Sequence, residues 1–181
     1  MVKTIKTSNM QYLIDANVFI QAKNLYYRFE FCQGFWDWLI KAHEANLVFS
    51  IDKVRTELKN GKANDPVRHW IDNSLPTDFF LPDMRDTQVM RSYADIMRWL
   101  AGNTHYTQQA KTEFARSDIA DAFLIAVAKT YGHIIVTHEK SNPNAQKRVL
   151  IPDAANAFGI QSIMIYDLLT EYAQGNFSLK I

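Results

Sequence analysis

Tyr12-Leu13-Ile14-Asp15-Ala16-Asn17-Val18-Phe19-Ile20 is an apolar run that ends in a carboxylate, takes one small residue and an amide, and then resumes an apolar pattern. That order reads as a buried strand, a turn and a helix start, with Asp15 at the strand's carboxyl end. In open parallel α/β sheets ligands bind at that edge, because the loops and helix N-termini that follow the strands converge there. Whether other carboxylates reach the same edge decides what the chain can do.

Working outward, Val18 to about Tyr27 continues as a helix, and Phe35, Trp36, Leu39, Ile40 and Ala42 have the spacing of an aromatic-rich amphipathic helix that belongs to the core. Asn46 breaks the pattern before Leu47-Val48-Phe49-Ser50-Ile51, a second buried strand. Val54 and Leu58 mark the helix after it, with Glu57 at the border of its buried stripe and Gly61 as its stop. Asp65-Pro66 opens another helix, Pro fitting the first helical position. Phe79-Phe80-Leu81-Pro82 is a short edge-like apolar segment, and a longer helix from Asp86 carries Val89, Tyr93, Ile96, Met97 and Leu100 at helical period. That stripe is core or a dimer or partner surface. Thr107 to Ala115 is a further short helix.

Ser117 to Tyr131 reads as a helix with Asp118 and Asp121 in its first turn, almost wholly apolar beyond them and stopped by Gly132. A helix this apolar must be buried against a sheet. His133 to Thr137 is the next strand, and Thr137-His138-Glu139 brings a hydroxyl and a carboxylate to its carboxyl end. A polar loop carrying Lys140, Lys147 and Arg148 leads to a short helix at Ile151-Pro152-Asp153, a strand over Gln161 to Ile165, and a closing helix from Tyr166 to Ala173. Strands alternating with helices throughout predict an α/β fold in three layers, helices covering both faces of a central parallel sheet.

The 181 residues, 48% of them hydrophobic, suit a single domain over 1–181, with residues 1–10 as a polar N-terminal extension. With 20 Lys plus Arg against 19 Asp plus Glu there is no global positive field, so a polyanionic substrate needs local basic residues or bound cations. The lone Cys32 excludes an intramolecular disulfide framework, and no base stands beside it to make a nucleophile. No secretory signal is visible, and the longest apolar run, Ala122 to Ala128, is too short to span a bilayer, so no membrane association and a cytoplasmic location are expected. The histidines lack zinc-site spacing.

Asp15, Glu57, Asp118, Asp121 and Glu139 all follow strand ends or open helices, and right-handed crossovers collect them on one side of the sheet. Carboxylates so close repel one another unless cations occupy the cluster, and the hard ion suited to carboxylates plus water is Mg²⁺, or Mn²⁺ in its place. Such ions ease deprotonation of a bound water and polarise a phosphodiester oxygen, which implies metal-assisted phosphodiester hydrolysis. Duller explanations stand beside this one. Asp118-x-x-Asp121 also matches a helix capping box, Glu57 a solvated helix residue, and Asn17 a cap or a support for Asp15. Asp15 is hardest to dismiss, because an uncompensated carboxylate after a buried strand needs a partner.

Four pieces in order, Leu13-Ile14-Asp15-Ala16-Asn17-Val18-Phe19-Ile20, Val54-Arg55-Thr56-Glu57-Leu58 with Gly61 and Trp70 downstream, Asp121-Ala122-Phe123-Leu124-Ile125-Ala126-Val127-Ala128, and Val136-Thr137-His138-Glu139, make the chain resemble the PIN-domain ribonucleases. Within them it is similar to the VapC-like toxins of bacterial toxin–antitoxin pairs, in a PIN-like branch. The resemblance covers residue 12 to about residue 170. It implies an acidic pocket binding one or two Mg²⁺ or Mn²⁺ ions, single-stranded RNA as substrate, an antitoxin protein as partner and a homodimer. It also implies Asp15, Glu57 and Asp121 as principal ligands, Glu139 completing the catalytic set, and Asn17 and Thr137 as orienting residues. Two departures bear on the site: the last acidic position is more often Asp in the family, so Glu139 reaches one methylene further, and Asp118 lies one helical turn before Asp121, where it shares the metal or stands in for it. Lys53, Arg55, Lys140, Lys147 and Arg148 are the candidate RNA phosphate contacts, against a solvated-surface role for each.

Two other functions compete. A haloacid-dehalogenase-like phosphohydrolase also uses an Asp after its first strand, but needs a second Asp two residues on, where this chain has Asn17. A non-catalytic PIN-like module that binds RNA or protein is the other.

Overall fold

The computed structural model describes residues 10–173, so the expected polar extension lies, but for Met10, outside the described residues. Its centre is a five-stranded sheet of β1 (Tyr12–Ile14), β2 (Val48–Ile51), β3 (Phe80–Leu81), β4 (Ile134–Val136) and β5 (Ser162–Ile163). The strands are all parallel and lie in the order β3-β2-β1-β4-β5. The apolar segment at Phe79–Pro82 is thus the outer strand of the main sheet, registered Ser50 to Phe80 and Ile51 to Leu81. Two residues pair there, too short a run for any periodic signal.

The strand order reverses at β1: the chain moves outward through β2 and β3, then returns to the other side of β1 as β4. Residues at the carboxyl ends of β1 and β4 therefore face one another across the switch point, where the flanking connections diverge and leave a crevice. Asp15 N–H donates to the Val136 carbonyl at 2.9 Å, which fixes the register of that meeting.

With right-handed crossovers, the helices between β1, β2 and β3 lie on one face and those between β3, β4 and β5 on the other. The first group is α1 (Ala16–Gln21), α2 (Gln33–Glu44), α3 (Asp52–Lys59) and α4 (Pro66–Asn73). The expected helix from Val18 to Tyr27 is divided: α1 passes into a π-helical segment, Ala22–Tyr26, whose wider turn sets the positions of the residues at its end. The second group is α5 (Thr87–Gly102), α6 (Gln108–Phe114), α7 (Asp121–Tyr131) and α8 (Ile151–Asn156), and α9 (Ile165–Tyr172) closes the described chain. Trp38 Nε1 on α2 donates to the Tyr172 carbonyl at 3.2 Å, which ties α9 to the first layer.

Helix α7 is the central element of the second layer. Every residue from Ala122 to Ala128 is buried, because the sheet covers one side of the helix and α5 the other. Gly132 ends it at φ 75°, a left-handed conformation that costs a residue with a Cβ. The apolar stripe of α5 is spent on this packing: Val89, Ile96 and Leu100 are buried, and Tyr93 stacks on Phe123 at 4.3 Å between centroids. Val89, Ile96 and Leu100 of that stripe are core, because α7 needs an apolar partner on its outer side, while Tyr93 and Met97 stay half-buried. Among the described residues no helix is long and apolar enough to cross a membrane.

Candidate active site

Asp15 stands at the N-terminus of α1 with extended backbone, and its side chain makes no capping bond there. It is 3% exposed. Its side-chain partner among the described residues is Thr137, whose hydroxyl donates to Oδ2 at 2.8 Å. Thr137, itself buried, accepts from Asn17 Nδ2 at 3.0 Å and from the Glu139 N–H at 3.1 Å. Asn17 completes the net by accepting the His138 N–H on Oδ1 at 3.0 Å. The hydroxyl is a hub: with its acceptor capacity taken by two N–H groups, its proton points at Asp15. Asn17 therefore reaches Asp15 through Thr137 and not directly.

Three further carboxylates share the electrostatic field of Asp15. Burial first, then the Asp121 charge, push Asp15 up to about 8, against the hydrogen bond from Thr137, while Glu139 and Glu57 add smaller increments in the same direction. Asp121 opens α7, where the helix dipole favours a carboxylate, yet burial first and then Glu139 and Glu57 raise it to about 7, partly offset by Arg148. Glu57 lies at the exposed mouth, where partial desolvation and then Asp118 raise it; solvent screening keeps that effect small. Glu57 and Asp121 line a cavity of about 290 Å³ together with Lys147 and Arg148.

Glu139 is engaged at both oxygens: Arg148 donates to Oε1, and the Ile151 N–H, at the start of α8, donates to Oε2 at 2.8 Å. Asp118 stands apart. It is exposed and held low by hydrogen bonding to Arg116 at 2.6 and 3.1 Å. The expected capping box does not form, because α7 begins only at Asp121, with Ala120 as its N-cap and no capping side chain. Asp118 touches the site only through its field at Glu57.

The cations divide likewise. Lys147 and Arg148 are at the carboxylate cavity. Lys53 donates to the Ser117 carbonyl at 2.5 Å and lies over the Phe123 ring, while Arg55 lies over Phe80. Both line a separate cleft of about 540 Å³ with Lys59 and Arg85. Lys140 is exposed on its loop.

A hard divalent cation fits this site in donor type and charge: the donors are oxygens, and among the described residues no basic side chain is bonded to Asp15 to offset the cost of its burial. The geometry is not preset. Among the described residues no three His, Cys, Asp or Glu side chains are gathered to hold a metal. Glu139 pairs with Arg148 and Asp15 accepts from Thr137.

Two supporting residues escape a reading of the sequence. Ser50, fully buried in β2, donates to the Ile14 carbonyl at 2.7 Å and ties β2 to the end of β1; a lone hydroxyl inside an apolar strand was its signal. Asp83, 4% exposed after β3, accepts the Lys53 N–H at 2.7 Å at the start of α3. Its signal, a carboxylate after Phe80-Leu81-Pro82, is lost when that segment is taken as a mere edge.

Compared with known proteins, residues 12–175 match the model of a family described as "Domain of unknown function (DUF4411)". A search of curated proteins finds no match. Among solved structures, "Crystal Structure of FitAcB from Neisseria gonorrhoeae" is similar at 18% identity with a TM-score of 0.48, over 84% of this chain and 96% of that one.

Proposed function

The chain belongs to the DUF4411 family, and from the site its residues build we propose that it is a metal-dependent endoribonuclease that hydrolyses phosphodiester bonds of single-stranded RNA. The observation that carries this reading is the pair Asp15 and Asp121, pushed up to about 8 and about 7 by burial first and then by neighbouring carboxylates, Asp121 acting on Asp15 and Glu139 and Glu57 on Asp121, at the switch point of a parallel sheet. The resemblance of four ordered segments to PIN-domain ribonucleases supports the same chemistry, and it extends the reading to the toxin of a toxin–antitoxin pair.

Asp15 and Asp121 would hold the ion, with Glu57 at the mouth and Glu139 as the further carboxylate of the set. When bound, Mg²⁺ or Mn²⁺ supplies the positive charge that lets these carboxylates ionise, makes a water more acidic and polarises a phosphodiester oxygen. The protein's own residues do the rest. Thr137 and Asn17 hold Asp15 in one orientation, so no rotamer search precedes reaction. Lys147 and Arg148 offer local positive charge for a phosphate on a chain with almost no net charge. Asn17 is committed to Thr137 and the His138 N–H, which leaves no acid–base group where a haloacid-dehalogenase mechanism needs one.

The test is cleavage of a single-stranded oligoribonucleotide by purified protein with Mn²⁺, with excess chelator, and by Asp15→Asn with Mn²⁺. Cutting by wild type with Mn²⁺ is expected, with a loss of about a hundredfold or more in the variant. Cutting that persists in chelator removes the metal from the mechanism; no cutting with metal leaves only a non-catalytic binding module.

A further inference from the structure

Three rings arise at the same sheet edge as the carboxylates, each from a different connection. Tyr26 ends the π-helical segment after β1, His138 lies two residues past the end of β4, and Tyr166 lies in the first turn of α9 after β5. They touch one another: ring centroids are 6.0 Å apart for Tyr26 and His138, 6.0 Å for Tyr26 and Tyr166, and 5.5 Å for His138 and Tyr166. Tyr26 is 48% exposed and Tyr166 38%. Single exposed tyrosines are ordinary, but three mutually supporting rings contributed by segments far apart in sequence make a prepared surface.

The position of this cluster is fixed to the acidic site. His138 lies between the hub Thr137 and the carboxylate Glu139, and its backbone N–H is bonded to Asn17 at 3.0 Å.

We propose that Tyr26, His138 and Tyr166 form a stacking platform for an unpaired nucleobase of the strand whose phosphate is held at the carboxylates. This rests on the single-stranded RNA reading of that site and names how the strand is gripped. A near-neutral chain with Lys147 and Arg148 as the basic residues at the carboxylate cavity among the described residues has little charge to offer phosphates, and stacking supplies sequence-tolerant affinity that depends on an exposed base. The phenol and imidazole edges offer hydrogen bonds to base edges, which an aliphatic patch does not. Paired bases present no free face to such a platform, so it selects for single strands.

The experiment reads binding separately from cleavage. Fluorescence anisotropy follows a labelled single-stranded oligoribonucleotide, a hairpin duplex and an abasic oligomer of equal length and charge on Asp15→Asn protein in chelator. The single strand is expected to bind about tenfold or more tightly than the duplex or the abasic oligomer. Tyr26→Ala and Tyr166→Ala, made in the same background, are each expected to lose about tenfold for the single strand only, and Tyr→Phe at either position to stay within about threefold. Equal affinity for the abasic oligomer, read with no change at the rings, overturns the proposal and makes the cluster a surface for a protein partner. So do alanine variants that bind as their parent does. If base-dependent binding holds while the wild type cuts nothing with Mn²⁺, the platform stands and the nuclease reading falls.

Discussion

Asp15 concentrates the argument at the scale of a residue. A carboxyl group 3% exposed, bonded to one hydroxyl and surrounded by other carboxyls, is a poor choice for stability. Thr137 is what makes it tolerable, donating to Asp15 while accepting from Asn17 and Glu139. Thr137→Val keeps the shape but strands both donors and removes the proton aimed at Asp15, and is expected to cost about 1–3 kcal/mol. Urea unfolding measures it; a loss below about 0.5 kcal/mol would mean that the hydroxyl is not a hub.

Helix α7 decides matters at the scale of an element. Its buried run from Ala122 to Ala128 locks the sheet to α5, and so fixes where Asp121 enters the cavity. Leu124, fully buried, has no solvent-exposed side into which a deletion could relax. Leu124→Ala is expected to destabilise by about 2–5 kcal/mol. Thermal unfolding tests this, and a shift of less than about 2 °C would contradict the packing described. The same packing buries Val89, Ile96 and Leu100 of α5.

For the whole molecule the coupled carboxylates set a pH dependence whose sign follows from their direction. Asp15 and Asp121 rise to about 8 and about 7 in the fold from an ordinary 3.8, so between these values the folded protein keeps protons that the unfolded chain has shed. Their contribution to stability is fully present below about pH 4 and is lost as pH rises through 7 to 8, by at most about 1.4 kcal/mol per pH unit for each proton. In chelator the melting temperature is expected to fall from about pH 5 to about pH 8.5, and Asp15→Asn, which still accepts from Thr137, to flatten the fall. Saturating Mn²⁺ is expected to raise and level the curve, since an ion that binds only the fold stabilises it by mass action. A metal-free curve that rises over this range would show that the two groups ionise freely.

Much of this was legible in the chain. The apolar run ending at Asp15, the Asp65-Pro66 start, the Gly132 stop and the apolar stretch after Asp121 each carry a local signal of period, cap or breaker, and these determine the alternating elements and hence the parallel three-layer fold. They also bring the carboxylates to one edge, because parallel strands with right-handed crossovers leave them nowhere else to go. Other features depend on side-chain meetings that no period, cap or breaker records, whether the partners are two positions apart or more than a hundred. Thr137 meeting Asp15, Arg148 holding Glu139, Asp118 turning away to Arg116, and β3 joining the sheet with only two paired residues are all decided by which side chains are neighbours once the core has closed. A charged side chain takes the partner that packing places within about 3 Å of it, and only the tertiary structure says which partner that is.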